Sequence, residues 1–412
     1  VSAEKKRMAD LDGFASAAGD SAVANRSQAT AVLERRDSDG ELTESDQSDP
    51  AVRPETQIKF ASGDEFMKVL RKRVDDYFTE TGRPRRDCPA MYVKTAVIMA
   101  WFAASYAGLV FWSQAWWQAC LAAMSLGASM ACIGFNIQHD GSHGAYSRHR
   151  WINALMGMTL DLLGGSSYIW KKTHNLIHHS FTNITGHDGD IDLGVMGRLS
   201  PHQKQYPFHR IQHLYLWLLY GLITLKWQFL DDTTVYLRGQ HSQFNFSRPK
   251  GWDLVVFLGG KISFLSLAFV LPMTMHSWTT VLAMFLLTSF FQGVLLSVVF
   301  QLAHCVEDAD FPLPIQESGR MSNSWSVHQL ETTANFARRN PIVTWFSGGL
   351  NFQVEHHLFP QICHVNYPAV SRILESTCRE YGVRYLSHDT VLDAVRSHYR
   401  WLRRMGNEQT AA

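Results

Sequence analysis

No histidine occurs in the first 138 of the 412 residues; all 19 lie from His139 onward. Within this chain, that excludes any N-terminal function built on imidazole, including a haem domain whose iron takes two axial histidines. Cysteine is scarce too. The six, at positions 88, 120, 132, 305, 363 and 378, contain no C-x-x-C pair. This argues against a zinc ribbon or dithiol redox centre, and six are too few for a disulfide scaffold. Neither sign of charge prevails: 38 Lys and Arg face 37 Asp and Glu, for a formal net charge of +1. Bulk charge therefore gives no argument for nucleic acid or another polyanion as partner. Residues 1–54 have one aromatic, Phe14, with 7 basic and 11 acidic side chains. So little apolar surface cannot offset chain entropy, and a disordered tail is expected over 1–55. It has no apolar run for a secretory signal and is too acidic for a transit peptide.

Order begins near Ser62. Ser62 and Glu65 fit a capping box, and Phe66, Val69, Leu70, Val74, Tyr77 and Phe78 recur at helical spacing until Gly82 and Pro84. Lys68, Arg71, Lys72 and Arg73 flank the stripe. Such a helix suits a membrane surface or the flank of the main body, in a region spanning 56–90. Four long apolar segments follow, at about 91–112, 115–137, 254–275 and 278–302. Two short turns, at Ser113–Gln114 and His276–Ser277, carry no Lys or Arg and make two hairpins of the four. Arg83, Arg85, Arg86 and Lys94, with the basic stretch between the hairpins, place both termini and the 138–250 region on the cytosolic side. Stretches 151–170 and 211–230, interrupted by Asp161 and Lys226, read as re-entrant or interfacial helices. The expected fold is all-α and integral to the membrane: four spans in two hairpins under a cytosolic, histidine-rich catalytic cap.

The histidines gather where the spans end. His139-Asp-Gly-Ser-His143 follows the second span, and His304 follows the fourth. His174-Asn-Leu-Ile-His178-His179 and Gln353-Val-Glu-His356-His357 each end in a doubled histidine. Residues four apart share a helix face, while neighbours are turned by about 100°, so a doubled histidine can serve two ions. The deduced topology delivers all eight side chains to one membrane face, which makes one composite site of them. Imidazole suits Zn, Cu, Fe and Ni. Eight donors are about twice what one zinc takes, and a soft copper site would have to recruit Cys305. Two ions with several imidazoles each is the natural count, and a nitrogen-rich non-haem pair with open positions suits iron and O2.

These boxes resemble those of the integral-membrane fatty acid desaturases. Thr182-Asn183, Gly186, Asp188 and Asp190 after the second box, and the run Gly348-Gly349-Leu350-Asn351-Phe352-Gln353-Val354-Glu355-His356-His357-Leu358-Phe359-Pro360, resemble the front-end (Delta-6-like) acyl branch. That branch carries glutamine at the start of the third box, as Gln353 does here. The resemblance spans about 60–400 and makes 91–400 a membrane desaturase domain, with 401–412 a C-terminal tail. It implies a non-haem diiron centre, O2 as co-substrate and an acyl chain, on a lipid or CoA, held in a narrow tunnel. The new double bond would enter between an existing one and the carboxyl end, as in a linoleoyl chain. It implies His139, His143, His174, His178, His179, His356 and His357 as iron ligands, with His304 joining them. Three roles are open to Gln353: amide ligand, holder of a bound water, or support for His357. Asp140, Asp188, Asp190 and Glu355 are candidate acceptors that fix imidazole tautomers, and His213 and His328 candidate aids to substrate or water. His149, His202, His209, His241, His276, His388 and His398 stand outside the site.

Many eukaryotic front-end enzymes carry a fused cytochrome b5 domain with a His-Pro-Gly-Gly haem motif. These 412 residues do not, so electrons are expected from a separate ferredoxin, or from cytochrome b5 with its reductase. The membrane would be a bacterial inner membrane, or the endoplasmic reticulum or plastid of a eukaryote. The boxes also suit a sphingolipid desaturase or lipid hydroxylase. A metal or haem transporter would need ionisable groups near the bilayer midplane, and apart from Lys94 and Lys261 the spans are nearly free of them.

Overall fold

Four helices of 22 to 27 residues dominate the computed structural model, which describes residues 52–53 and 58–408. They are Pro89–Trp112, Trp116–Ser142, Trp252–Met273 and Trp278–His304, each long and apolar enough to cross a membrane. At about 1.5 Å per residue all exceed the roughly 30 Å hydrocarbon core. The second and fourth form the centre: 61% and 44% of their apolar windows are buried, against 17% and 11% in the first and third. Gly127 lets that central pair meet. A Cβ there would stand 2.6 Å from the Thr288 carbonyl oxygen, so only glycine allows this approach. Few side chains polarise the contacts of the outer helices. Trp101 donates to Ser125 Oγ at 2.9 Å, and Tyr106 to the Leu267 carbonyl at 2.7 Å.

The helix ends differ from the sequence reading. The second helix does not stop near 137; it runs to Ser142, with Ile133–Gln138 wound as a π-helix. The fourth runs to His304. The first box and His304 therefore ride on the last turns of rigid helices rather than on the loops beyond. Between the second and third long helices come short ones, Arg150–Gly157, Thr159–Leu162 and Ser167–Trp170, then a second π-helix, Lys171–His178. Helices Gln212–Tyr220 and Ile223–Lys226 follow. Trp151, Leu155, Leu214, Leu218 and Leu230 are exposed along these stretches.

The Glu65–Thr81 helix is capped by Asp64, whose carboxylate accepts from Met67 N at 3.0 Å, not by Ser62. Gly82, at φ 62°, ends it. Its stripe packs into the main body: Phe66, Met67, Leu70, Val74 and Phe78 are buried, and Arg73 reaches Thr377 and Glu380 on the Tyr367–Tyr381 helix. Of the two settings open to this helix, it takes the body's flank. Of the expected tail, only Val52–Arg53 is described, as a strand antiparallel to Phe244–Phe246, which also pairs with Gln240–His241. A second small sheet joins Asn335–Phe336 in parallel with Ser387–His388. The last helix, Val391–Asn407, continues well past 401, so most of the expected C-terminal tail is helical.

Candidate metal centre

Three chain segments converge at the end of the central helix pair. The turn His139–Ser142 with His143, the π-helix Lys171–His178 with His179, and the short helix Gln353–Leu358 meet beside His304. Their nitrogens sort into neighbouring groups whose candidate ligand atoms lie within 4.8 Å of one another: His139, His143, His174 and His356; His178, His304 and His357; and His179 with His356 and His357. The doubled histidines reach in two directions, His356 toward His139, His143 and His174 and His357 toward His178 and His304, and the two meet again beside His179. The π-helical winding aligns His174 and His178, whose rings stack at 5.0 Å, while His179 stands at 83° to His178. Gly348, at φ 61°, closes the third box onto the first. A Cβ there would fall 2.2 Å from the Phe135 carbonyl oxygen on the π-helical turn before His139.

Ring orientation is fixed from outside. His178 Nδ1 lies 3.1 Å from both Asp188 oxygens, and His174 Nδ1 lies 3.5 Å from Asp190. His304 Nδ1 meets the Thr332 carbonyl at 3.4 Å, His357 Nδ1 meets Gln329 Oε1 at 2.8 Å, and His356 Nδ1 meets the Tyr367 hydroxyl at 3.2 Å. A carbonyl or carboxylate only accepts, so His174, His304 and His357 carry a proton on Nδ1 and turn an Nε2 lone pair inward, while the Tyr367 hydroxyl fixes the His356 ring without fixing its tautomer. The residues fit a metal by a second observation. His139 and His174 Nε2 are buried with no hydrogen-bond partner among the described residues. His179 and His356 face each other through Nε2 at 3.0 Å, about the separation of adjacent donors on an ion with bonds of about 2.1 Å. Burial and the neighbouring imidazoles hold His179, His356 and His357 well below the ordinary histidine value, which keeps those lone pairs available. His178 is the exception: burial alone would depress it, but Asp188 and Asp190 outweigh that and raise it to about 9.

Gln353 lies among the second group. Its amide nitrogen is 3.1 Å from His304 Nε2 and 3.3 Å from His357 Nε2, so the amide end occupies the focus of that group. Asp188 and Asp190 lie against box histidines as anticipated, but two expected acceptors do not. Asp140 accepts from His364 at 2.9 Å. Glu355 accepts from Asn335 and Tyr385. Neither carboxylate has a box histidine among its hydrogen-bond partners. His328 holds the chain behind the second box, through the Thr182 carbonyl at 2.9 Å, and His213 packs edge-on against Tyr399. His276 meets the Val110 carbonyl at 2.7 Å, at the other end of the helices.

Gln329, Tyr367 and His364 were not singled out from the sequence. Gln329 adjoins His328 in a conspicuous stretch, while Tyr367 and His364 follow the third box with no spacing that marks them. Asp140, Cys363 and His364 also group closely. Both ring nitrogens of His364 are taken there, one by Asp140 and the other by Lys94 Nζ at 3.0 Å, and that ammonium fills a cation's place.

Residues 115–389 match the family model described as fatty acid desaturase. The chain is 36% identical over 359 residues to an sn-1 linoleoyl-lipid 6-desaturase of Arthrospira platensis, covering 87% of this chain and 97% of that one. It is 39% identical over 351 residues to the sn-1 linoleoyl-lipid 6-desaturase of Synechocystis sp., covering 85% and 98%. An acyl-lipid (8-3)-desaturase of Physcomitrium patens shares 36% over 371 residues, covering 89% of this chain and 77% of its own. A family match over more than half the chain, with relatives aligned nearly end to end, means that the chain belongs to the fatty acid desaturase family.

Proposed function

We propose that the protein is an O2-dependent acyl-lipid desaturase that sets a double bond between an existing one and the carboxyl end of a lipid-borne chain, linoleoyl being the first candidate. The observation that carries this reading is the gathering of the eight box histidines into adjoining, overlapping groups, five of them held through Nδ1 from behind. His139, His143, His174, His179 and His356 would hold one iron, and His178, His304 and His357, with Gln353 beside them, the other. Bound there, an iron pair supplies O2 activation strong enough to take hydrogen from an unactivated methylene. In balance, two adjacent carbons each give up one hydrogen. O2 receives these with two electrons and two protons and leaves as two waters. The protein's own part is positioning: Asp188, Gln329, Tyr367 and the Thr332 carbonyl hold the imidazoles while the substrate changes.

Between the long helices lies an apolar cavity of about 350 Å3, lined by residues such as Tyr106, Met130, Leu163, Phe264 and Met284 and reaching Gln114 and His276 at the end away from the metal centre. Its walls lack charge and suit a hydrocarbon tail, which supports an acyl chain as substrate. The basic flanks support two hairpins with the cap, both termini and the metal centre on the cytosolic side. Electrons would arrive there from a separate ferredoxin, or from cytochrome b5 with its reductase.

The test is expression in a host that lacks the activity, fed defined fatty acids, with double bonds localised by mass spectrometry. Linoleate should yield a product two hydrogens lighter, its new double bond on the carboxyl side of the existing ones. Only oxygen-gained products, or a new bond on the methyl side, would overturn the proposal.

A further inference from the structure

Lys94, His364 and Asp140 make a chain of hydrogen bonds away from the candidate ligands. Lys94 sits near the start of the first long helix, Asp140 directly after His139, and His364 beyond the third box. All are buried, at 7%, 2% and 1% exposure. An ammonium group can only donate, so Lys94 Nζ gives its hydrogen to His364 Nε2 at 3.0 Å. The ring proton is then on Nδ1 and goes to Asp140 Oδ2 at 2.9 Å; the His364 backbone N–H donates to the same oxygen at 3.3 Å. Every polarity in the chain agrees. Burying two opposite charges with a histidine between them is a weak source of stability, because desolvation takes back much of the attraction. What such a bridge does supply is a fixed register among the elements it joins.

We propose that Lys94, His364 and Asp140 are positioning residues for one half of the metal centre only, the half assigned above to His139, His143, His174, His179 and His356, and that they act through His139, His143 and His356. Asp140 shares a helical turn with His139 and precedes His143 by three residues, so fixing its side chain fixes the rotation that aims both rings. On the other side, His364 starts the turn that leads to Tyr367, whose hydroxyl lies 3.2 Å from His356 Nδ1. The bridge therefore ties the first box to the third from behind. The second half has separate supports: Asp188 for His178, the Thr332 carbonyl for His304 and Gln329 for His357. None of these is a hydrogen-bond partner of Lys94, His364 or Asp140.

The inference rests on the two-iron reading above, and the experiment separates the two. The full chain is purified in detergent and loaded with 57Fe, and iron per chain and the Mössbauer spectrum are recorded. Wild type should bind two irons with two resolvable signals; a wild type that binds none, or one, sinks the metal reading itself. Lys94→Met should weaken iron at one half by about 10- to 100-fold, the usual effect of losing a support behind a ligand. One signal is then lost or shifted while the other stays. Lys94→Arg, which keeps a donor and a charge, should restore both. Should Lys94→Met fail to fold because the buried charge of Asp140 is left uncompensated, Lys94→Met with Asp140→Asn removes both charges together and should show the same one-sided loss. Two unchanged signals in these variants, or a parallel loss of both, including through misfolding of the double variant, would overturn the proposal.

Discussion

An imidazole that holds a metal must present a lone pair and must not rotate, and the two demands fall on different atoms. Nε2 meets the first here and Nδ1 the second, through Asp188, Gln329, Tyr367 and the Thr332 carbonyl. Replacing such a partner leaves the ligand in place but free to turn. Asp188→Asn should therefore weaken metal binding by about 10- to 100-fold, measured by chelator competition; unchanged affinity would show that Asp188 does not set the orientation of His178. At Gln353, alanine should abolish nearly all activity, since the amide sits at the focus of His304 and His357. Gln353→His should keep part of the turnover if the position faces the ion, because imidazole binds iron well. Wild-type iron content and turnover in Gln353→Ala would remove the residue from the site. The box histidines were legible because their ligands come at helical spacing within single segments. Gln329, Tyr367 and His364 were not, because their partners lie in contact across the fold and no local period marks them. Asp140 and Glu355 misled for the converse reason: being adjacent to a histidine in sequence says nothing about which side of the turn a carboxylate leaves.

At the scale of elements, composition and length gave the four long helices to within a few residues, because twenty consecutive apolar residues have few other folds. Where those helices end, and how they wind, was not readable. The π-turns at Ile133–Gln138 and Lys171–His178 are local departures that propensity does not encode, and they set the stacking of His174 on His178. Helix contact is equally specific. Gly127→Leu would force a side chain into the Thr288 carbonyl, and overpacking of this kind costs about 1–3 kcal/mol. The expected outcome is a lower melting temperature in detergent, with iron lost at lower temperature; unchanged melting would mean that the central pair is not packed as described. A further element-level prediction concerns Asp232, at the start of the Asp232–Arg238 helix. Burial raises its pKa to about 7 against the lowering effect of Lys261. The folded state then holds a proton that the unfolded chain has released, so this group's stabilisation is complete below about pH 4 and is lost as pH rises to about 7. Asp232→Asn should flatten the fall in melting temperature over that interval; an unaltered slope would place the titration elsewhere.

For the molecule as a whole, sidedness is the property on which the composite site depends. Cysteines placed at Arg148, Gln240 and Glu317 should react with an impermeant reagent from the cytosolic side, and one at Ser277 only from the other; cytosolic reaction at Ser277 would break the two-hairpin arrangement. The order in which the parts are made has a consequence of its own. Roughly half the chain separates His139 from His357. At about 5–20 residues per second of synthesis, the first two boxes wait about 10–40 s for the third. On the proposed reading, the five imidazoles of those two boxes would form an incomplete binding site during that interval. The common ordering of divalent affinities favours copper and zinc over ferrous iron at such nitrogen donors. The cell would then have to keep those metals scarce at the nascent chain or exchange them once His356 and His357 have arrived. In an overexpressing host, where the chain outruns the iron supply, zinc-filled and inactive protein is the expected contaminant.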